Sequence, residues 1–161
     1  MKLKQENAAY IAGFVDGDGS INAQIVRRPD YRLKFQIRVT ITFFQKTKRY
    51  HFLKRLQKEL KIGTCRKRND GMTEYTIVGK QSVLQILQEI IPYLRIKKRQ
   101  AILVREICNQ TRKEQTEDEF IKSCLLVDKI AELNDSKKRI ISASTVENVL
   151  RSIEMKETPS P

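Results

Sequence analysis

The stretch AAYIAGFVDGDGSINAQIV, residues 8–26, changes its hydrophobic period part-way along, and that change decides the fold. Up to Val15 the apolar residues recur at helical spacing, with Asn7 ahead of them as an N-cap and Gly17 and Gly19 behind them as a stop. A short helix over 8–16 is expected. From Ser20 the chain alternates: Ile21, Ala23, Ile25, Leu33, Phe35, Ile37, Val39 and Ile41 are apolar, whereas Asn22, Gln24, Arg28, Arg32, Lys34, Gln36 and Arg38 are polar, with Val26 the exception. Such alternation builds a sheet with one buried and one solvated face. Arg27-Arg28-Pro29-Asp30 interrupts it, so two strands joined by a turn are predicted.

Working outward, Phe52, Leu53, Leu56 and Leu60 give a helix over Tyr50–Leu60 closed by Gly63. A second hairpin fits Thr64 to Val78, turning at Asn69-Asp70-Gly71. The remainder reads as helices over 82–91, 97–110, 118–133 and 145–155, with Ile102, Leu103, Ile107, Leu125, Leu126 and Ile130 as core residues. The fold class is therefore α/β of the α+β type: four antiparallel strands backed by helices. One domain is expected over 1–156, with a frayed tail over 157–161.

The chain of 161 residues carries 32 Lys+Arg against 19 Asp+Glu, a net charge of +13, which favours a polyanionic partner such as nucleic acid. No apolar run approaches the ~18 residues that span a bilayer, and the first residues lack a signal pattern, so a soluble protein without a membrane partner is expected. Cys65, Cys108 and Cys124 have no metal-site or disulfide-framework spacing and are read as free thiols in a reducing compartment. His51 is the only histidine, so chemistry built on paired imidazoles is excluded. It is read as a packing or surface residue.

Ala9, Ala12, Gly13 and Gly17 form a stripe of small side chains, opposite Tyr10, Ile11, Phe14 and Val15. Glycine inside a helix costs ~1 kcal/mol and needs a packing reason. A second helix of the same chain would supply one, as would a two-fold copy of the same helix. Asp16 and Asp18 lie where the helix macrodipole is negative, a position that a hard divalent cation bound by oxygens would neutralise. Asp-Gly is equally a plain turn signal.

The nine residues IAGFVDGDG, Ile11 to Gly19, resemble the motif of the LAGLIDADG homing endonucleases. Gln45-Lys46-Thr47-Lys48-Arg49, the segment Tyr93 to Gln100, and Asn134-Asp135-Ser136-Lys137 are similar, in order, to the homodimeric single-motif members encoded in algal introns. The resemblance implies a curved DNA-binding sheet and a dimer formed through the motif helix, with Ala9, Ala12, Gly13 and Asp16 at the interface. It places Mg²⁺ or Mn²⁺ on Asp18 and the Gly17 carbonyl, and calls for no organic cofactor. Gln45 would stand near the hydrolytic water, Lys97 near the scissile phosphate and Arg49 in the surrounding polar network. The implied activity is site-specific double-strand cleavage that promotes insertion of the protein's own intron, in an algal chloroplast or mitochondrion.

Asn22, Gln24, Arg28, Tyr31, Arg32, Gln36 and Arg38 of the first hairpin, with Arg66, Arg68, Glu74 and Thr76 of the second, are the residue types that pair with base edges. Lys137, Lys138 and Arg139 suit phosphate contacts that position rather than specify. A strand of ~10 residues at ~3.3 Å each spans about ten base pairs, so a dimer would cover a near-palindrome of roughly twenty. An RNA maturase or a DNA-binding repressor could use the same basic sheet without cleavage.

Overall fold

The computed structural model describes residues 2–135 and 141–158. Helix α1 (Gln5–Asp18) runs directly into strand β1 (Gly19–Arg27). Strand β2 (Phe35–Lys46) follows, then a 3₁₀ turn at Thr47–Arg49, helix α2 (Tyr50–Leu60) and the hairpin of β3 (Thr64–Lys67) and β4 (Met72–Val78). Helix α3 (Lys80–Ile90), a second 3₁₀ turn at Ile91–Tyr93, and helices α4 (Lys98–Gln110), α5 (Glu117–Leu133) and α6 (Ala143–Glu157) complete the chain. The sheet is antiparallel in the order β1-β2-β4-β3, so the two hairpins join through their second strands.

The predicted alternation is realised throughout this sheet. Ile21, Ala23 and Ile25 of β1, and Phe35, Ile37, Val39, Ile41 and Phe43 of β2, are all buried, together with Tyr75 and Ile77 of β4. Helices α1 to α5 pack on that face, and α6 packs on α5. At the middle of the core the Phe43 ring stacks on Phe14 at 5.4 Å and on Tyr75 at 5.5 Å, where the register sets Phe43 opposite Tyr75. The buried Tyr75 hydroxyl donates to the Ile62 carbonyl at 2.6 Å, so its polar atom is satisfied.

Several boundaries differ from the sequence reading. Helix α1 starts at Gln5 rather than residue 8, and Lys4, not Asn7, takes the N-cap position. The Asn7 amide instead donates to Glu59 Oε1 at 2.6 Å. The helix also continues through Gly17 to Asp18, and the stop falls on Gly19 alone. A Cβ on Gly19 would lie 2.8 Å from the Val15 Cα and 3.0 Å from the Thr42 carbonyl oxygen, so only glycine lets this junction press against β2.

Arg28, Tyr31 and Arg32 are not strand residues. They lie in the 28–34 connection, which closes on itself through Arg28 N–H to the Lys34 carbonyl, with Lys34 at φ 59°. Helix α2 is ended by Lys61 at φ 57° instead of by Gly63, which occupies the following turn at φ 79°. Helices α5 and α6 begin earlier than expected because capping boxes at Thr116/Glu119 and Ser142/Thr145 start them. Ile102 and Leu125, expected in the core, are 38% and 50% exposed on the outer faces of α4 and α5, while Ile107 and Ile130 are buried. Helix α6 includes Glu157, the first residue of the expected tail.

No disulfide joins the three cysteines, and burial pushes the Cys108 thiol up to about 11. Removing the central ring of the core stack should be costly. Phe43→Ala is expected to lower unfolding free energy by about 3–5 kcal/mol, checked by urea titration against the parent chain.

Candidate active site and nucleic-acid interface

Three of the four residues assigned to catalysis from the sequence meet where α1 ends. The register pairs Gly19 with Phe43, so the last residue of α1 and the last turns of β2 lie side by side. There the Gln45 Nε2 donates to Asp18 Oδ2 at 3.0 Å, and Arg49 Nη1 donates to Gln45 Oε1 at 3.2 Å. The two bonds fix which end of the Gln45 amide faces the carboxylate. The 3₁₀ turn at Thr47–Arg49 is what brings Arg49 back over Gln45, and the Thr47 N–H anchors it to the Gly71 carbonyl at 2.8 Å.

Lys97 reaches this cluster by another route. It stands just ahead of α4, and its ammonium donates to the Asp16 backbone carbonyl at 2.6 Å. The Asp16 carboxylate accepts three N–H bonds from the same connection: Arg95 at 2.8 Å, Ile96 at 3.2 Å and Lys97 at 2.9 Å. Burial alone would raise the Asp16 pKa, but these three donors and the Lys97 charge outweigh it and hold the carboxyl below its ordinary value. The two motif aspartates thus face different ways, Asp16 into the chain and Asp18 toward the exposed end.

Asp18 and nearby carbonyl oxygens are hard donors that suit a divalent cation. Among the described residues no group of three or more His, Cys, Asp or Glu side chains could hold a metal by itself. One chain therefore offers a fragment of a coordination shell. A cation held there would draw its remaining oxygens from water, a phosphate or a second copy of Asp18.

The opposite face of the sheet carries the polar residues. Gln24 pairs with Arg38, Val26 with Gln36, Asn22 with Thr40 and Arg66 with Glu74, all on the side away from the helices. Some are already engaged within the chain. Arg66 pairs with Glu74 at 2.8 Å, Arg68 with Asp70 at 2.8 Å, and the Asn22 side-chain Oδ1 accepts from the Asn134 amide at 3.3 Å. In the first loop Arg28 donates to Gln36 at 3.2 Å, Tyr31 is 44% exposed, and Arg32 is drawn away to the Gln115 carbonyl. Arg68 lies in the hairpin turn just past β3.

Sequence reasoning missed part of this face. Ser20, Thr42 and Thr64 fall in one cross-strand row with the expected Thr76, the Thr42 and Thr76 hydroxyls 3.3 Å apart, and Phe44 points out while Phe43 points in. The same alternation that marked Gln36 and Arg38 continues through Thr40, Thr42 and Phe44 and could have found them. Lys137, Lys138 and Arg139 lie outside the described residues.

The family model described as LAGLIDADG endonuclease matches residues 11–108. The chain belongs to the LAGLIDADG endonuclease family. It is 46% identical over 145 residues to the DNA endonuclease I-CvuI of Chlorella vulgaris, covering 90% of each chain. To the DNA endonuclease I-CreI of Chlamydomonas reinhardtii it is 39% identical over 161 residues, covering 99% of this chain and 98% of that one. A crystal structure of I-CvuI in complex with its target, in the presence of calcium, superposes with a TM-score of 0.89 at 45% identity, covering 93% of this chain and 96% of the other.

In this LAGLIDADG chain the motif helix shows two distinct faces. Ala8, Ile11, Ala12 and Val15 are buried against the chain's own core. Ala12, expected at a subunit interface, is 0% exposed and has no surface to offer, because the inward stripe runs one residue round the helix from the position expected. Ala9 and Gly13 are exposed and border a cleft with Asp16, Pro92, Leu94 and Arg95. A Cβ added at Gly13 or Gly17 would meet nothing within 4 Å.

The depressed Asp16 pKa has a consequence for acid stability. The stabilisation that Asp16 contributes is complete above the unfolded value of about 3.9 and disappears as pH falls through the lower folded value. Asp16→Asn should therefore flatten the loss of stability on acidification in that window, measured as the urea midpoint from pH 6 to pH 3.

Proposed function

We propose that this protein is a homing endonuclease: a divalent-metal-dependent enzyme that, as a homodimer, makes double-strand breaks in a long near-palindromic DNA site and so promotes insertion of its own intron. The observation that carries this reading is the bonded series Asp18–Gln45–Arg49 at the edge of a polar sheet face in a chain of net charge +13. The relatives I-CvuI and I-CreI are DNA endonucleases of algae, which favours an algal organelle as the setting. Among the described residues no helix is long and apolar enough to cross a membrane.

Phosphodiester hydrolysis needs a water in line with the leaving oxygen, neutralised phosphate oxygens and a stabilised leaving alkoxide. Asp18 and the Gly17 carbonyl are the residues that would hold the cation, Mg²⁺ or Mn²⁺. When bound, it supplies Lewis-acid polarisation of the phosphate and a more acidic water. Gln45, its amide fixed from both ends, orients the attacking water. Arg49 keeps Gln45 in that orientation and adds positive charge beside the phosphate. The Lys97 ammonium offsets charge that builds on the phosphate oxygens. No histidine base is needed, in keeping with a single, exposed His51 on α2.

A homodimer would make up the coordination shortfall with a second Asp18. Exposed Ala9 and Gly13 let a second motif helix approach closely, and a two-fold arrangement brings a second Asp18 to the axis. Strand β2 has 12 residues, about 40 Å, so each copy can follow the major groove for about ten base pairs. Gln24, Arg38, Gln36 and the loop residues Arg28 and Tyr31 would read base edges; Lys137 and Lys138 would contact phosphate.

The test is cleavage of a plasmid library of near-palindromic sites by the purified protein with Mg²⁺ and with EDTA. Linear product is expected only with the metal, and sedimentation should show two chains per duplex. Asp18→Asn is expected to abolish cleavage while leaving affinity in Ca²⁺ within about threefold. Normal cutting by that variant would overturn the assignment of the metal to Asp18, and specific binding without cutting in Mg²⁺ would leave a DNA-binding protein in place of an enzyme.

A further inference from the structure

The connection that carries Lys97 has little else to hold it. Leu94 is buried at one end and α4 begins at Lys98, but between them Arg95 and Ile96 are exposed, Ile96 by 72%. Lys97 is half-buried, and its carbonyl opens α4 by accepting from the Ala101 N–H at 3.0 Å. The rest of the hold comes from one residue of α1: every backbone N–H of residues 95–97 is donated to the Asp16 carboxylate. The lysine is gripped twice by the same partner, its N–H on Asp16 Oδ1 at 2.9 Å and its ammonium on the Asp16 carbonyl at 2.6 Å.

Lysine has a flexible four-carbon stem and ordinarily loses much rotamer freedom when its head is fixed. Here the stem starts and ends on a single residue, so the ammonium is delivered one peptide before Gly17 and two residues before Asp18. We propose that Asp16 is a positioning residue for the cleavage reaction: it sets the backbone and side chain of Lys97, and through them the place of the ammonium beside the scissile phosphate. This rests on the proposed role of Lys97 near that phosphate. The role differs from an interface contact, because it acts through Lys97 within one chain.

A double-mutant cycle tests it. The parent, Asp16→Asn, Lys97→Met and the double variant are compared by single-turnover cleavage in Mg²⁺ with enzyme in excess, and by DNA affinity in Ca²⁺. Asp16→Asn should slow cleavage by roughly tenfold to a hundredfold, the range expected from misplacing a catalytic group by about an ångström, with affinity changed less than about threefold. In the Lys97→Met background the same substitution should slow cleavage less than about twofold. Equal slowing in both backgrounds, or parent-like cleavage by Asp16→Asn, overturns the proposal. So does loss of folding or of DNA binding by Asp16→Asn, which would make Asp16 part of the scaffold. Parent-like cleavage by Lys97→Met overturns the role of Lys97 itself, a result separable from the others.

Discussion

A helix that ends and a strand that begins without a residue between them must turn the chain within one peptide, and in this protein the turn is possible only because Gly19 has no Cβ. A Cβ there would lie 2.8–3.0 Å from backbone atoms of Val15 and Thr42, which cannot move aside. That close approach fixes the end of α1 relative to β2. Since β2 carries Gln45, the same approach determines that Asp18 and Gln45 come within hydrogen-bond distance. The aromatic stack of Phe14, Phe43 and Tyr75 then locks helix to sheet from the core side. Packing and site geometry thus share one cause.

From this junction the two aspartates acquire separate work. Two residues apart, and so about 200° round a helix of 3.6 residues per turn, they point in different directions, and their surroundings sort them. Asp16 is satisfied by backbone donors and is spent on structure within the chain. Asp18 accepts from a single glutamine and keeps oxygen lone pairs available. A carboxylate at a helix C-terminus meets an unfavourable dipole, and one so placed with capacity left over is suited to a cation.

The basic character of the chain is also unevenly spent. Arg66 and Arg68 are partly neutralised by Glu74 and Asp70, and Arg32 is tied to the Gln115 carbonyl. Such internal bonds hold side chains in defined places before any partner arrives, which lowers the ordering cost of binding. The row of hydroxyls formed by Ser20, Thr42, Thr76 and Thr64 brings no charge at all to its part of the face.

Local pattern alone determined the elements and the buried face of the sheet, since a period of two or of 3.6 follows from backbone geometry. It also supplied the motif, hence the family and the candidate residues Asp18, Gln45, Arg49 and Lys97. It could not determine that Ala12 faces inward while Ala9 and Gly13 face out, because a stripe of small residues does not say which neighbour covers it. Nor could it show that Arg32 leaves the strand face or that Asp16 grips Lys97: these bonds join residues 79 to 83 positions apart. The capping residues of α5 and α6 were present in the sequence, yet their effect on the boundaries depended on the helix being formed around them. Tertiary structure decided which atoms meet, because hydrogen-bond distance between distant residues is set by how the layers pack and not by any local preference.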